Sequence, residues 1–591
     1  MPTSPCRLLV SGLLLCAAAS VAGAADAPRA TPDDLGGPAF TPLGAERPGN
    51  AAGTIPAWEG GLRSVPDDYQ PTRHETDPFP DDPILYSITA ATMAEHDAVL
   101  SDGQKALLAA YPETWRLNVY PSRRSASYPE WVYANVMQNA TRSVLLTEGK
   151  GGVEGSRVSS PFPIPTQGVE VIWNHNLRWR GIRVKRGLGQ AAVTRRGNFT
   201  IVAGVGDIGF PYGLEEETPF TRRHPNLMVA VKSKTIAPAL LSGTAGLTIE
   251  PINQTNDPRK SWLYSRSLRR VVRRPFFGYG LPAPNSDSLR TVDQFELYNG
   301  APDRFEWTLL GKRELLIPYN SYRLHSSDVP YDEILQTGHI NPELARFELH
   351  RVWVVEGRLR PGAQHVYARR VFYVDEDSWQ IAMSESYNAA GDLWRTAHAH
   401  AVNYYTVPVH LSTLNVFHDL RERRYFVDEL DNGRQPWRFL VVQGDQRDEM
   451  VRVMRQGIAK RKEEGEDPGS SEGSARVMAQ APVTVFVFNP EGLDPWLTRS
   501  ADQMWTDVVN IQSMAAHGGQ PFITAYCSSK AALATLTKNV AFSVMRHRIR
   551  VNGLNIGWMN TPGEDRIQKD YHDAPETWLE DAVKAQPFGR L

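Results

Sequence analysis

Tyr526 and Lys530 stand four residues apart, and Ser513 precedes the tyrosine by thirteen. On a helix an i, i+4 pair projects from one face, so the Lys530 ammonium can stabilise a Tyr526 phenolate, as a general acid/base requires. Other patterns carry weaker chemistry. His74, Asp77, Asp81 and Asp82 are the residue types of a metal or acid/base cluster, but Pro78, Pro80 and Pro83 interleave them, and a solvated surface loop is expected. His398 and His400 share one face of a strand, where such a pair binds Zn²⁺ if a third ligand converges. None is evident, so exposed sheet histidines are expected. Gly204-Val205-Gly206-Asp207-Ile208-Gly209 matches the dinucleotide fingerprint, which must open a helix. Phe210-Pro211-Tyr212-Gly213 follows at once, and a proline and a glycine so close argue for a turn-rich loop instead.

The elements that would position these groups change in texture along the chain. Thr31 to Asp82 is rich in Pro, Gly and Asp and should run irregularly over a surface, pinned by Trp58 and Phe79. Ala90 to Ala110 has helix-forming composition, with Met93, His96, Val99, Leu100 and Leu107 in an imperfect stripe. From about Val169 to Val409, short β-branched and aromatic runs alternate with turn residues, the mark of an antiparallel meander. Its clearest strands are Arg351 to Gly357, Val366 to Val374, Trp379 to Tyr387 and Leu393 to Tyr405. Reversals fall at Asp375-Glu376-Asp377-Ser378 and Asn388-Ala389-Ala390-Gly391-Asp392. Trp262, Phe295, Trp307, Trp353, Tyr367, Phe372 and Trp394 would line a cavity or, as aromatics do in most sheets, fill the core. Residues 456–482 are dense in Lys, Glu, Gly and Ser and form a linker, since they cannot bury enough surface to offset their ordering entropy.

At 591 residues the chain exceeds one ordinary core, and 41% hydrophobic with 22% charged residues describes a folding chain rather than a disordered one. Lys plus Arg number 64 against 66 Asp plus Glu, so no net field gathers polyanions, which argues against a nucleic-acid partner. The densest basic run, Arg266, Arg269, Arg270, Arg273 and Arg274, suits anionic lipid headgroups or a polyanionic glycan, or simply a solvated face. Residues 1–24 read as a secretory signal: Arg7, an apolar run from Leu8 to Val21, then Ala22 and Ala24. That run is shorter than the roughly 20 residues needed to span a bilayer. Cys16 follows Leu15 where a lipidation box prefers a small residue. With Cys6 and Cys16 in the signal, Cys527 alone remains, and the exported chain has no internal disulfide to form.

Several phrases carry a resemblance: Thr41-Pro42-Leu43-Gly44-Ala45-Glu46-Arg47, Gly53-Thr54-Ile55-Pro56-Ala57-Trp58, and Leu100-Ser101-Asp102-Gly103-Gln104-Lys105-Ala106-Leu107. Val119-Tyr120-Pro121-Ser122-Arg123-Arg124, Tyr128-Pro129-Glu130-Trp131-Val132-Tyr133, and Pro161-Phe162-Pro163-Ile164-Pro165 before Trp173-Asn174-His175 continue it. From about residue 35 to 450 the chain resembles the DUF1329 family. The resemblance implies an α+β fold, mainly antiparallel β, with a curved sheet like the half-barrels of periplasmic lipoprotein carriers. It also implies a hydrophobic small molecule or lipid as partner, and an envelope setting beside outer-membrane proteins and exporters of the resistance-nodulation-division type.

The C-terminal part, with Val508 to Gly519, Ala525-Tyr526-Cys527-Ser528-Ser529-Lys530-Ala531, Ile549 to Asn555 and Thr561-Pro562, resembles the second half of a short-chain dehydrogenase/reductase. The resemblance implies that Tyr526 is the general acid/base and that Lys530 lowers its pKa and holds the nicotinamide ribose. Ser513 would bind the substrate oxygen, and Thr561 would contact the nicotinamide. The family's glycine-rich turn, acidic ribose ligand and Asn-Asn-Ala-Gly phrase are missing, and Val483 to Pro490 is a single lead-in strand. The organisation expected is therefore a signal (1–24), a DUF1329-like β-rich domain (25–455), a linker (456–482) and an incomplete, partly Rossmann-like segment (483–591). Its function is non-catalytic carriage of a hydrophobic ligand in the periplasm, with no cofactor. The alternative is an NAD(P)-dependent oxidoreductase completed by a partner chain or a swapped dimer. A third account is a fusion created by gene rearrangement.

Overall fold

The computed structural model describes residues 31–70, 73–215, 221–222, 224–265, 270–274, 278–434, 438–440, 507–513, 550–556, 575 and 577–585. The chain divides into two compact units, Met1–Glu449 and Met450–Leu591.

In the first unit, β1 (Tyr86–Ile88) and β2 (Leu117–Val119) are short, and β3 (Val144–Leu146) pairs with β4 (Gly152–Glu154) in a separate hairpin. One meander comprises β5 (Arg183–Val193), β6 (Val202–Gly209), β7 (Leu227–Ala237), β8 (Ala245–Pro251), β9 (Lys260–Ser265) and β10 (Arg270–Arg273). A second comprises β11 (Phe305–Pro318), β12 (Phe347–Leu359), β13 (Arg369–Asp375), β14 (Ile381–Tyr387), β15 (Leu393–Tyr404), β16 (Val409–Asp419) and β17 (Arg424–Leu430). β18 (Arg438–Leu440) pairs with β5, and β17 pairs with β5 to join the meanders into one open, curved sheet running β1-β2-β12-β13-β14-β15-β16-β17-β5-β6-β7-β8-β9-β10. Its pairs are antiparallel apart from a single parallel contact of Phe347 with Val119. The mainly antiparallel, curved fold expected from the sequence is the fold found.

The turn chemistry explains the register. Asn388 Oδ1 accepts from the Asp392 amide at 2.9 Å, and Gly391 takes a φ of +87°, which only glycine adopts without strain. Strands β12 to β17 are buried on both faces. One face packs against α2 (Gly168–Leu177), of which every residue is buried, through Trp173, Trp379 and Phe372. The other, which includes Phe347 of β12, packs against α1 (Asp102–Ala110) and Trp115. Each buried large side chain contributes roughly 2–3 kcal/mol.

The expected helix over Ala90 to Ala110 is two pieces: a 3₁₀ turn, Met93–Val99, kinked at His96, and then α1. The break has a cause in sequence. Ser101 accepts from the Gln104 amide at 3.2 Å while Gln104 Oε1 accepts from the Ser101 amide at 3.0 Å, a capping box that starts a new helix at Asp102. Gly103 lets that helix approach the sheet. A Cβ there would lie 2.3 Å from Thr396 Oγ1, and the Gly103 amide donates to Glu385 Oε1 at 2.6 Å.

Two further expectations are corrected. The fingerprint Gly204–Gly209 lies within β6, bonded on one side to β5 and on the other to β7, so ladders on both edges hold it extended instead of in a turn-rich loop. Pro211–Gly213 then forms a 3₁₀ turn, and no helix runs on from the last motif glycine, as the proline and glycine implied. His398 and His400 are buried, not exposed, because β15 is covered on both faces. Among the aromatics, Tyr367 and Phe372 are fully buried, while Trp307 and Phe372 pack with Tyr298 as ordinary core. The irregular course of Thr31 to Asp82 is as expected, and Trp58 is buried.

In the second unit, β19 (Asp507–Ser513) and β20 (Arg550–Ile556) form a parallel pair, and a helix spans Trp578–Ala585. The signal stretch, the linker and the strand proposed at Val483 to Pro490 lie outside the described residues.

Candidate functional site

Residues between Asp68 and Ile84, with Tyr322, Arg323 and Ser326 to Asp328, line an open cavity of about 750 Å³. Its walls are polar. Arg346 lies between the rings of Phe79 and Tyr120 and donates to Asp82 Oδ2 at 2.6 Å, and Arg123 donates to the other Asp82 oxygen, also at 2.6 Å. Burial works to raise Asp82, but these two guanidiniums override it and hold the carboxyl below the usual range. Burial prevails at Asp77 and pushes it up.

His74 and Glu75 belong to this wall and face inward. His74 is 4% exposed, so the surface loop expected here is solvated at Asp81 but not at its histidine. The His74 Nε2–H donates to the Arg434 carbonyl at 3.2 Å, leaving Nδ1 directed at Asp431 Oδ2, 4.0 Å away. Beside it His325 spans two carboxylates, with Nε2 3.0 Å from Glu75 Oε2 and Nδ1 2.9 Å from Asp431 Oδ2. Thr413 Oγ1 donates to Asp431 at 3.1 Å. Burial alone would lower His325, but Asp431 and Glu75 override it and push the imidazole up to about 10. His74 is held down, first by burial and also by the charge on His325. No local spacing in the sequence signals His325, Thr413 or Asp431; only the fold brings them to His74.

A second buried group, His350, Asp375 and Asp377, is differently built. Arg124 donates to Asp377 at 2.6 and 2.8 Å, and Arg351 and Lys312 close an ion network through Glu376. Burial and the neighbouring Asp377 push Asp375 up, and Ser378 donates to it at 2.5 Å. Arg124 neutralises Asp377, and Arg124, Arg351 and Lys312 surround Glu376, which makes this a cross-brace for the turn after β13.

The far end of the sheet carries another surface. Across β5 to β10 one set of opposed rows holds Lys185, Lys232, Lys234, Lys260 and Arg273. The same rows hold Val205, Leu247, Ile249, Trp262, Tyr264 and Val271. Val205 is 45% exposed and Val271 40%, and Lys232, Lys234 and Arg273 are exposed. Asp207 is the one carboxylate in these rows, and Arg183 holds it through hydrogen bonds of 2.7 and 2.6 Å. Of the basic run noted in the sequence, Arg270 and Arg273 are exposed on β10, and Arg266 and Arg269 lie outside the described residues.

In the second unit Ser513 ends β19, opposite Ile556 of β20. Tyr526, Lys530 and Thr561 lie outside the described residues.

Comparison with known proteins agrees with this division. The family model described as short chain dehydrogenase matches residues 476–572. A sorbitol dehydrogenase of Cereibacter sphaeroides is 32% identical over 88 residues, covering 14% of this chain and 34% of the enzyme; the chain thus spans about a third of that relative's length. A solved DUF1329 family protein from Desulfovibrio piger aligns with 45% of this chain and 89% of its own at 13% identity and a TM-score of 0.31. An uncharacterized protein of Pseudomonas aeruginosa is 41% identical over 396 residues, 67% of this chain and 86% of the relative. The family model described as protein of unknown function (DUF1329) matches residues 87–455, well over half the sequence, and the chain belongs to the DUF1329 family.

Proposed function

We propose that the protein is a non-catalytic binding or carrier protein of the periplasm, associated with the outer membrane, for a lipid-like ligand with an anionic head. The observation that carries this reading is the outer face of β5 to β10, where half-buried Leu247, Trp262 and Tyr264 alternate with Lys232, Lys234 and Arg273. Apolar surface that a sheet leaves uncovered favours acyl chains, and a fringe of cations beside it favours phosphate or carboxylate headgroups. The signal-like residues 1–24 support export. No helix among the described residues is long and apolar enough to cross a membrane. An outer-membrane protein or an exporter of the resistance-nodulation-division type would be the partner for delivery.

In this reading the C-terminal segment is the remnant of a dehydrogenase. It keeps Ser513, Tyr526 and Lys530 and a parallel strand pair, but its sequence carries no glycine-rich turn to receive a pyrophosphate. The competing reading, an NAD(P)-dependent oxidoreductase with Lys530 and Thr561 at the cofactor, is favoured by the dehydrogenase match alone.

Organic extraction of the protein purified from its own envelope, followed by mass spectrometry, tests carriage. A recurrent anionic lipid or amphiphile is expected, and repeated extraction of none would refute the reading. Titration with NADH and NADPH separates the alternative: unchanged tryptophan fluorescence is expected, whereas saturable quenching at micromolar concentrations would restore the oxidoreductase.

A further inference from the structure

The arrangement of His74 is the starting point. A backbone carbonyl can only accept, so the Arg434 oxygen at 3.2 Å fixes the proton on Nε2 and leaves a bare lone pair on Nδ1. That lone pair faces the Asp431 carboxylate at 4.0 Å and has no hydrogen-bond partner among the described residues, with the His74 side chain 1% exposed. Two electron-rich atoms directed at each other in a buried pocket repel unless a cation lies between them, and an unmade hydrogen bond on a buried nitrogen adds to the cost.

We propose that His74 Nδ1, His325 Nδ1 and Asp431 Oδ2 form a binding site for one divalent transition-metal ion of the zinc class. The three ligand atoms lie within 4.8 Å of one another, with separations of 2.9 Å from Asp431 to His325 and 4.0 Å to His74. A tetrahedral site with bonds of about 2.0–2.1 Å has ligand edges of roughly 3.3 Å, between those two distances, so side-chain shifts of less than about 1 Å complete it. Two imidazoles and a carboxylate are the donor set that such ions take, leaving a fourth position for water or a bound molecule.

The surrounding groups are those that orient metal ligands. Glu75 accepts from His325 Nε2 at 3.0 Å, a carboxylate behind the imidazole, and the Arg434 carbonyl does the same for His74. Thr413 donates to both oxygens of Asp431, at 3.2 and 3.1 Å, which fixes the carboxylate plane. In the metal-free protein the Nδ1 proton of His325 lies between Thr413 Oγ1 and Asp431 Oδ2, each 2.9 Å from the nitrogen. The ion takes that proton's place, and the proton leaves to solvent. His74 and Glu75 line the 750 Å³ cavity, so the site lies against its wall. The proposal stands apart from the reading of the β5 to β10 face, which lies on other residues.

The test uses the full chain without a histidine tag, stripped with chelator and dialysed against Zn²⁺ or Co²⁺ alone. One equivalent of metal per chain is expected, with Co²⁺ giving the intense visible absorption of a tetrahedral centre. His74→Ala and Asp431→Asn should each weaken binding at least tenfold. His74→Ala removes one hydrogen bond from the metal-free fold, so its far-ultraviolet circular dichroism should match the parent, which separates lost ligation from lost folding. Glu75→Gln should weaken binding about 10-fold or more through its hold on His325. Absence of stoichiometric metal in the parent, or equal affinity in His74→Ala, would overturn the site.

Discussion

Glu75 Oε2 and His325 Nε2 meet at 3.0 Å across 250 residues of sequence, both buried, and their contact fastens the N-terminal segment to the connection between β11 and β12. Among its described residues that stretch contributes no strand between Asp68 and Ile84, so side-chain contacts hold it, this one together with those of Arg346 and Arg123 to Asp82 and of His74 to the Arg434 carbonyl. Replacing Glu75 by Ala leaves the buried His325 imidazolium with Asp431 as its one remaining carboxylate, and breaking one side of a buried pair costs on the order of 3 kcal/mol. The Glu75→Ala variant should unfold at lower denaturant concentration than the parent and exchange the amides of residues 73–82 faster by hydrogen–deuterium exchange. Parent-like protection of those amides would show that the contact does not fasten the segment.

Gly103 predicts a second effect, on packing. An added Cβ would meet Thr396 Oγ1 at 2.3 Å and Thr396 Cβ at 2.9 Å, so α1 must lift from β14 and β15 or distort the 2.6 Å bond from its amide to Glu385. Although alanine favours helices, Gly103→Ala should destabilise by about 1–3 kcal/mol through overpacking. Thermal unfolding reads the sign directly, and a stabilised variant would mean that the helix shifts at no cost.

How much of this was legible beforehand depends on the range of the information. The turns at Asp375–Ser378 and Asn388–Asp392 and the strands beside them follow from residues a few positions apart, because hairpin register is a local property. The Leu100–Leu107 phrase was visible, but its meaning as a capping box with a glycine pressed against Thr396 needs the sheet. The alternation Ala397-His398-Ala399-His400 does not say which face is wet, and here neither is. The glycines of β6 have no side chains to alternate, so only the ladders of β5 and β7 define that strand. Asp431 and His325 reach His74 through tertiary closure alone, which no spacing rule can find.

The histidines on β15 and β16 predict acid sensitivity. Burial pushes His398 down to about 4 and holds His400 and His418 well below the usual range, the last two also through neighbouring histidines. An unfolded histidine titrates near pH 6.5, so below that value the unfolded chain binds more protons, and stability present above pH 6.5 is lost as the pH falls towards 4. Asp375 and Glu429, both pushed up by burial, oppose this trend, so the histidine contribution is read by difference. His398→Leu should gain on the parent by on the order of 2–3 kcal/mol between pH 7 and pH 4 in urea titrations. A difference that stays constant with pH would show that His398 is not neutral in the fold.

The outer face of β5 to β10 gives the last prediction. Lys232 and Lys234 point from the same side of β7 as Arg273 does from β10, and Leu247 and Trp262 lie between them in one row. If that side receives an anionic head, its attraction sums over the cations and is screened by salt, while the aromatic contribution is not. The triple change Lys232→Gln, Lys234→Gln, Arg273→Gln should therefore reduce flotation with phosphatidylglycerol vesicles by roughly two orders of magnitude at low salt. It should leave binding to phosphatidylcholine vesicles unchanged. Trp262→Ala should act differently, weakening binding at every salt concentration because it removes apolar area rather than charge. All three substituted cations sit on the exposed side of the strands, so the fold should survive the exchange. Equal vesicle binding by parent and triple variant would remove this face from the proposed function and leave the lipid, if one is extracted, to another surface of the sheet.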